Sequence, residues 1–403
     1  MHLINAVIEN PLLLTIPVVS AIIGWGTNKV AIDLTFYPLE YKGIKPWFGW
    51  QGIIPARSHV MGERVVQLTV SKLLDIQQEF GKLDSNKIAQ EMKPGVEQLS
   101  RKIVNQVATK EIPLIWLTLP KGIKENIYRS AAAELPGIIK QMMDEIKEDI
   151  HTYIDFKQLL LRELLRDKEL LNRLFKKCGE KEFLFIERSG LYLGFLLGIP
   201  QLILWVYYPI WWTLPLFGLL NGYFTNWIAM KLIFEPQKPV NIGFYTIQGL
   251  FLKRQKEVSE AYAEIMATEV VSVQKIFQEM MNGPASEKFV SLIIKYVCRA
   301  VDQGAGASKN VIHLISGRQK FIEIKAIACQ LFLEDLPQSV AGVVKYAEEK
   351  LNTKQVLTSK IMELTPIEFT GLLRPIFQED EWKLIALGGV LGAIAGFIQL
   401  LST

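Results

Sequence analysis

Cysteine and histidine are scarce in this chain. Cys178, Cys298 and Cys329 stand without a C-x-x-C spacing, which excludes a disulfide framework and suits free thiols in a reducing compartment. The four histidines, His2, His59, His151 and His313, share no i, i+4 spacing with a second ligand, so no metal and no cofactor is expected. No serine or cysteine carries a local nucleophile motif, and no enzyme activity is expected. The glycine-rich stretch Asp302–Lys309 lacks the G-x-x-x-x-G-K-S/T spacing of a phosphate loop and reads as a helix connector. A formal net charge of only +4 over 403 residues supplies no basic field, so no nucleic-acid partner is expected.

Hydrophobic residues make up 50% of the chain and charged residues 21%, a balance that calls for a search for membrane segments. Three stretches contain no Asp, Glu, Lys or Arg: Pro11–Asn28, Ser189–Met230 and Leu384–Thr403. A bilayer core of about 30 Å takes roughly 20 apolar helical residues, so the outer stretches supply one span each and the middle one supplies two. The middle stretch turns at Trp205–Trp212, where Trp and Tyr rings flank Pro209, as suits headgroup depth. Four spans follow, at about 11–28, 189–207, 210–230 and 384–402.

Every Lys and Arg lies between Lys29 and Lys383, and the aromatic turn has none. Positive residues near spans stay cytoplasmic, which puts the two large intervening segments, 38–188 and 237–383, in the cytoplasm and both termini opposite.

The chain also repeats itself. Pro17, Gly24, Thr27, Asn28, Ala31, Leu34, Phe36 and Pro38 recur 198 residues later as Pro215, Gly222, Thr225, Asn226, Ala229, Leu232, Phe234 and Pro236. After a one-residue deletion, Gln51, Gly52 and Arg57 recur as Gln248, Gly249 and Arg254, and Gly190, Gly194, Gly198 and Gln201 recur as Gly388, Gly392, Gly396 and Gln399. The expected architecture is a tandem duplication of membrane helix, soluble helical bundle and membrane helix, with the copies as parallel repeats. The glycine stripes leave smooth helix faces for close approach, either within the chain or between copies in a homo-oligomer.

Between spans the apolar residues keep a helical period, as in Met61, Val65, Leu68, Leu73, Ile76 and Phe80, and in Phe156, Leu160, Leu164, Leu171 and Leu174. Alternating strand patterns are few. Both intervening segments therefore read as all-α bundles, cut into helices at Pro94-Gly95, Pro113, Pro120, Pro136-Gly137, Gly283-Pro284 and Pro337. Some of these helices could instead lie on the membrane surface.

The run from Gly24 to Pro38, followed by Gln51 to Arg57, resembles the bacterial membrane proteins of the domain of unknown function numbered 445, which overlap the uncharacterised protein family numbered 0754. The resemblance extends over essentially the whole chain to the closing Gly388–Gln399 helix. It implies an integral membrane protein and brings no activity, cofactor or catalytic residue. The long form looks like cyanobacterial members assigned to thylakoid membranes; otherwise the bacterial plasma membrane is implied.

The candidate functional or interface residues are the repeated polar ones. Thr27, Asn28, Thr225 and Asn226 lie where apolar runs give way to charge, and serve there to line a path, clamp a neighbouring helix or form a hinge. Lys29 and Asp33, four apart, are placed to pair. Gln51, Gly52 and Arg57, with Gln248, Gly249 and Arg254, mark the return to the membrane, either as an anionic-lipid site at a helix start or as a structural turn with a snorkelling arginine. The expectation is a noncatalytic, membrane-anchored scaffold or partner- and lipid-binding protein. The alternative is a small-solute or ion transporter using the Thr-Asn motifs. The expected partners are the lipid bilayer, anionic lipid and other membrane proteins.

Overall fold

Helical periodicity in the sequence becomes helix along nearly all of the chain. The computed structural model describes residues 11–44, 48–111, 113–242, 245–305, 308–378 and 381–402. The first half runs α1 (Thr15–Phe36), β1 (Lys42–Ile44), β2 (Phe48–Trp50), α2 (Ile53–Ala56), α3 (Ser58–Leu68), a π-helical turn (Thr69–Leu73), α4 (Ile76–Gly81), α5 (Ser85–Glu111), α6 (Pro113–Thr118), α7 (Lys121–Ala133), α8 (Leu135–Glu148), α9 (Phe156–Arg166), α10 (Lys168–Cys178) and α11 (Glu180–Tyr207). The second half runs α12 (Thr213–Phe234), β3 (Val240–Ile242), β4 (Tyr245–Ile247), α13 (Leu250–Lys253), α14 (Gln255–Ile265), a π-helical turn (Met266–Val270), α15 (Val273–Asn282), α16 (Ser286–Ala305), α17 (Ser308–Ser339), α18 (Ala341–Leu351), α19 (Thr353–Glu363), α20 (Pro366–Gln378) and α21 (Glu381–Ser402).

Corresponding elements of the halves begin 197 or 198 residues apart: α1 and α12, α2 and α13, α3 and α14, the two π-helical turns, α9 and α19, α10 and α20. The N-caps after the π turns correspond too. Asp75 accepts from the amides of Gln77 and Gln78, and Ser272 accepts from that of Lys275. The hairpins β1–β2 and β3–β4 are antiparallel, paired Lys42 with Trp50 and Val240 with Ile247. Sequence reading missed both, because strands of three residues carry too few alternations to register. Their cue is Gly49, over which the Tyr41 ring lies so closely that an added Cβ would meet it at 2.5 Å.

The chain folds into two compact units. One unit comprises Met1–Thr69, Leu161–Ile265 and Leu357–Thr403; the other comprises Val70–Leu160 and Met266–Val356. Each draws on both halves of the chain, since apolar stripes say which residues are buried and not which partner buries them.

In the first unit α1 packs on α11 and α12 packs on α21, with α1, α12 and their partners also in contact with one another. Glycine makes the approach possible. A Cβ on Gly24 would run into the Gly190 carbonyl, one on Gly194 would lie 2.6 Å from the Ser20 carbonyl oxygen, and one on Gly198 would lie 2.6 Å from Pro17 Cα. Gly222 meets Gly388 and Gly218 meets Gly392 in the same way, while Gly396 meets Leu214 and Pro215. Both glycine stripes are thus occupied inside the chain.

The outward faces of the four long helices are apolar, and their contacts bury polar side chains among aliphatic ones. Tyr192, Leu196 and Ile398 are 69%, 61% and 60% exposed, with Ile22, Phe195, Leu216, Phe224 and Val390 also outward. Ser20, Thr27, Asn28, Ser189, Gln201, Asn221, Thr225, Asn226 and Gln399 are buried. Among the described residues one helix, Glu180–Tyr207, is long and apolar enough to cross a membrane by length and composition, and Ile385–Leu400 is a shorter apolar stretch.

Shorter helices complete this unit. α10 contacts α2, α3 and α14, and α20 contacts α3 and α13. Phe251 and Phe369, both fully buried, stack with centroids 4.6 Å apart, and Phe36 meets Phe183 edge to face at 5.1 Å. Burying such a side chain contributes about 1.5–3 kcal/mol.

In the second unit α5 and α16 both pack on α8 and α17. Pro94 and Pro337, expected to end helices, lie inside α5 and α17. Met92 and Val96 are buried on either side of Pro94, so packing holds the turns that flank the missing amide bond. In the Asp302–Lys309 connector, α16 continues to Ala305, and Gly306 and Ala307 lie outside the described residues. On α8, Glu145 accepts from Lys295 Nζ and from Tyr296 Oη, each at 2.7 Å, and these contacts hold its carboxyl below the ordinary value of 4.5. Burial, with Glu145 beside it, pushes the Tyr296 phenol up to about 12.

Two predictions follow from this packing. Gly24→Leu should lower the stability of the detergent-solubilised protein by about 1–3 kcal/mol or more in thermal unfolding, because backbone lies where the side chain must go. Gly26→Ala, two residues along and facing open space, should leave it unchanged or raise it by about 0.5–1 kcal/mol. The Glu145 cluster should make stability pH-dependent at both ends. A lowered carboxyl stabilises above 4.5 and that contribution is lost as pH falls through its folded value; a raised phenol stabilises below 10 and that contribution is lost as pH rises toward about 12. Melting curves of Glu145→Gln should show a flatter acid limb than those of the parent chain.

Candidate functional site

The repeated residues converge on two places in the first unit: the contact between paired long helices, and the point where each chain half leaves α1 or α12.

At the helix contact Asn28 is fully buried and donates Nδ2 to the Ile186 carbonyl on α11 at 2.8 Å. Gly190 permits this, since a Cβ there would sit 2.7 Å from Asn28 Nδ2. Asn226 lies against Gly388 in the corresponding way, so each asparagine crosses a glycine to reach the neighbouring helix. The buried Oδ1 of Asn28 has no donor among the described residues, nor has that of Asn221 on α12. Thr27 donates back to the Ile23 and Gly24 carbonyls at 2.9 and 3.2 Å, and Thr225 to the Gly222 carbonyl at 3.4 Å, so both hydroxyls act within their own helix. Deeper along the same contact, Ser20 donates to Gln201 Oε1 at 2.7 Å, a buried side-chain bond between helices. Lys29 does not join Asp33 as its spacing suggested. Its ammonium stands over the Trp25 ring at 5.3 Å, where the ring face offers an apolar neighbour without desolvating the charge.

The second place is the return loop. Gly52 donates its amide to the Pro38 carbonyl at 3.0 Å, and Gly249 donates to the Pro236 carbonyl at 3.1 Å. Both glycines sit against the last turn of a long helix, where a Cβ would lie 2.7 Å from Phe36 C or from the Ile233 oxygen. Gln51 Nε2 donates to the Leu39 carbonyl at 2.9 Å, and Gln248 is half-buried. The open carbonyls at the end of α1 are met from outside the helix: Trp50 Nε1 donates to Leu34 at 2.9 Å and Asn172 Nδ2 to Phe36 at 2.6 Å.

Arg57 and Arg254 occupy equivalent junctions, α2 to α3 and α13 to α14, with nearly the same backbone angles. Arg254 Nη1 donates to both carboxylate oxygens of Glu182, at 2.7 and 2.6 Å, and its Nε donates to Glu257 at 3.0 Å. Glu182, at the start of α11, is buried. Lys181 Nζ and Arg254 together hold the Glu257 carboxyl below its ordinary range. Burial pushes the nearby Cys178 thiol up to about 12, which leaves it unreactive at neutral pH. Ser20, Trp50, Asn172, Glu182 and Asn221 were not singled out from sequence. Of their side-chain partners, Gln201 and Arg254 carried a signal, Gln201 by recurring as Gln399 and Arg254 as the recurrence of Arg57.

The Arg254–Glu182 pair should be a point of fragility. Arg254→Ala leaves a buried carboxylate without its partner and should cost about 3–5 kcal/mol, read as a lowered midpoint in thermal or denaturant unfolding. The double change Arg254→Met with Glu182→Leu should recover most of that loss.

Three relatives match the chain along almost its full length. A protein of Synechococcus sp. named UPF0754 membrane protein is 19% identical over 96% of this chain and 97% of its own. One of Cyanothece sp. bearing that family name is 21% identical over 95% of this chain and 96% of its own, and one of Staphylococcus saprophyticus is 20% identical over 95% of each. No family model and no solved structure matches the chain. The chain thus has, over 95% or more of the sequence given, homologues named UPF0754 membrane proteins, and that family is uncharacterised.

Proposed function

We propose that this chain is a noncatalytic integral membrane protein that anchors a helical cytoplasmic region and serves as a scaffold or a partner- and lipid-binding surface. The observation that carries the reading is the outward face of the four long helices, which is aliphatic and aromatic, over contacts that bury Asn, Gln, Ser and Thr. α1, α12 and α21 have 22 residues each, a rise of about 33 Å at 1.5 Å per residue, against a hydrocarbon core of about 30 Å. Their buried polar residues lower their hydropathy without being offered to lipid, which supports four spans. The matched spacing of elements supports a duplicated unit. In a cyanobacterial cell the thylakoid membrane is the proposed location, and elsewhere the plasma membrane.

The transport reading has one specific observation in its favour, the buried and unbonded Oδ1 atoms of Asn28 and Asn221. Against it, Thr27 and Thr225 spend their hydroxyls on carbonyls of their own helices, and the Ser20–Gln201 pair spends its bond on holding two helices together.

Carbonate washing at alkaline pH should leave the chain in the vesicle pellet, and trypsin should cleave it only from the cytoplasmic face; release into the supernatant would end the membrane reading. Purified protein in liposomes should pass no K⁺, Na⁺ or H⁺ above empty vesicles. Asn28→Ala combined with Asn226→Ala should lower thermal stability by about 1–2 kcal/mol. Flux in the parent chain that this double variant abolishes would decide for transport.

A further inference from the structure

A cavity of about 610 Å³ lies within the second unit, between α5, α7, α8, α16 and α17. Its wall is almost wholly apolar, with Val96, Leu99, Val104, Ile138, Phe332 and the buried Trp116 among the lining residues. This is about four times the ~150 Å³ of an apolar cavity that holds one benzene ring, and it sits within the usual range for small-molecule sites. At that scale it takes one hydrocarbon chain of fatty-acid length and not the two chains of a phospholipid.

One side of the cavity is thinly covered. No residue of α7 is buried, although the helix is strongly amphipathic, and its Ile123 and Ile127 face the cavity while remaining 47% and 37% exposed. Leu114 and Leu117 on the adjoining α6 are more exposed still. Cations set on aromatic rings stand beside the lining residue Trp116. Lys124 Nζ stands 5.2 Å from the centroid of Trp116, a lining residue, and the Arg101 guanidinium stands 5.1 Å from that of Tyr128, whose ring meets Trp116 edge to face. Arg101 is neutralised by Glu125. Lys124 has no carboxylate partner among the described residues.

An apolar chamber, a loosely seated helix over it and an unneutralised ammonium beside its Trp116 wall form a coherent set. We propose that this cavity binds a long-chain fatty acid anion, its chain among Val96, Leu99 and Ile138 and its carboxylate at Lys124. The proposal deepens the lipid-binding part of the function proposed above and rests on that reading for its source of ligand.

The test uses full-length protein in native membranes, photolabelled with a palmitic acid analogue bearing a diazirine in its chain, with adducts mapped by mass spectrometry. Adducts should fall on peptides covering Val96–Ala108 and Ile123–Met142, and unlabelled palmitate should compete them away more effectively than hexadecanol. Ala131→Trp, which fills the chamber from its lining, should abolish them. Lys124→Glu should cut labelling roughly fivefold while Lys124→Arg keeps it, and this pair carries the test if the tryptophan variant misfolds. Adducts confined to α11 and α12, equal labelling in Ala131→Trp and the parent, or preferential labelling by a diacyl phosphatidylglycerol analogue would each overturn the proposal. Carbonate washing of the same membranes separates the two readings. A retained chain without cavity adducts sinks only the fatty-acid site, and a released chain that still labels there sinks only the membrane anchor.

Discussion

Backbone-to-backbone approach between the paired long helices is the constraint from which the first unit takes its form. Where Gly24 meets Gly190 and Gly222 meets Gly388, no side chain separates the helices, and the neighbouring asparagine reaches across to the partner's backbone. On the membrane reading proposed above, helices gain nothing by hiding hydrocarbon from hydrocarbon, so contact distance and buried hydrogen bonds supply the association energy. The contact buries amides and hydroxyls beside aliphatic side chains, and leucine, isoleucine and phenylalanine face outward.

The same logic governs the ends of the long helices. A helix leaving an apolar environment exposes carbonyls that need donors, and α1 obtains them from Trp50, Asn172 and its own turn at Tyr37. Gly52 and Gly249 let the return strand lie directly on that last turn. The Arg254–Glu182 pair then fixes the start of α11 to the junction of α13 and α14. Asn28, Gly52 and Arg254 each thus satisfy backbone or charge that would otherwise be stranded in the first unit.

Much of this was legible in the residues themselves. Helical class followed from stripes such as Phe156, Leu160 and Leu164, all of which are buried. The glycine and asparagine positions announced themselves by recurring 198 residues apart. Partnership was not legible: Glu182 and Arg254 are separated by 72 residues, and nothing local marks either as the other's counter-ion. Pro94 and Pro337 misled because proline weakens a helix by a definite amount, and well-packed neighbours such as Met92 and Val96 outweigh it. The three-residue hairpins were too short to leave a period. The cavity of the second unit was invisible for a further reason, since the side chains that bound it look like ordinary core residues.

Both compact units are assembled from separated stretches, and the chain passes between them near Thr69, Leu160, Ile265 and Val356. During synthesis this imposes a delay. α1 emerges from the ribosome well over a hundred residues before α11, the helix whose glycines it must meet. Neither half of the polypeptide contains a whole unit, so a ribosome halted midway leaves two unfinished interiors instead of one finished domain. Co-translational quality control must therefore tolerate a long-lived, half-partnered nascent chain before the last crossing point has been made.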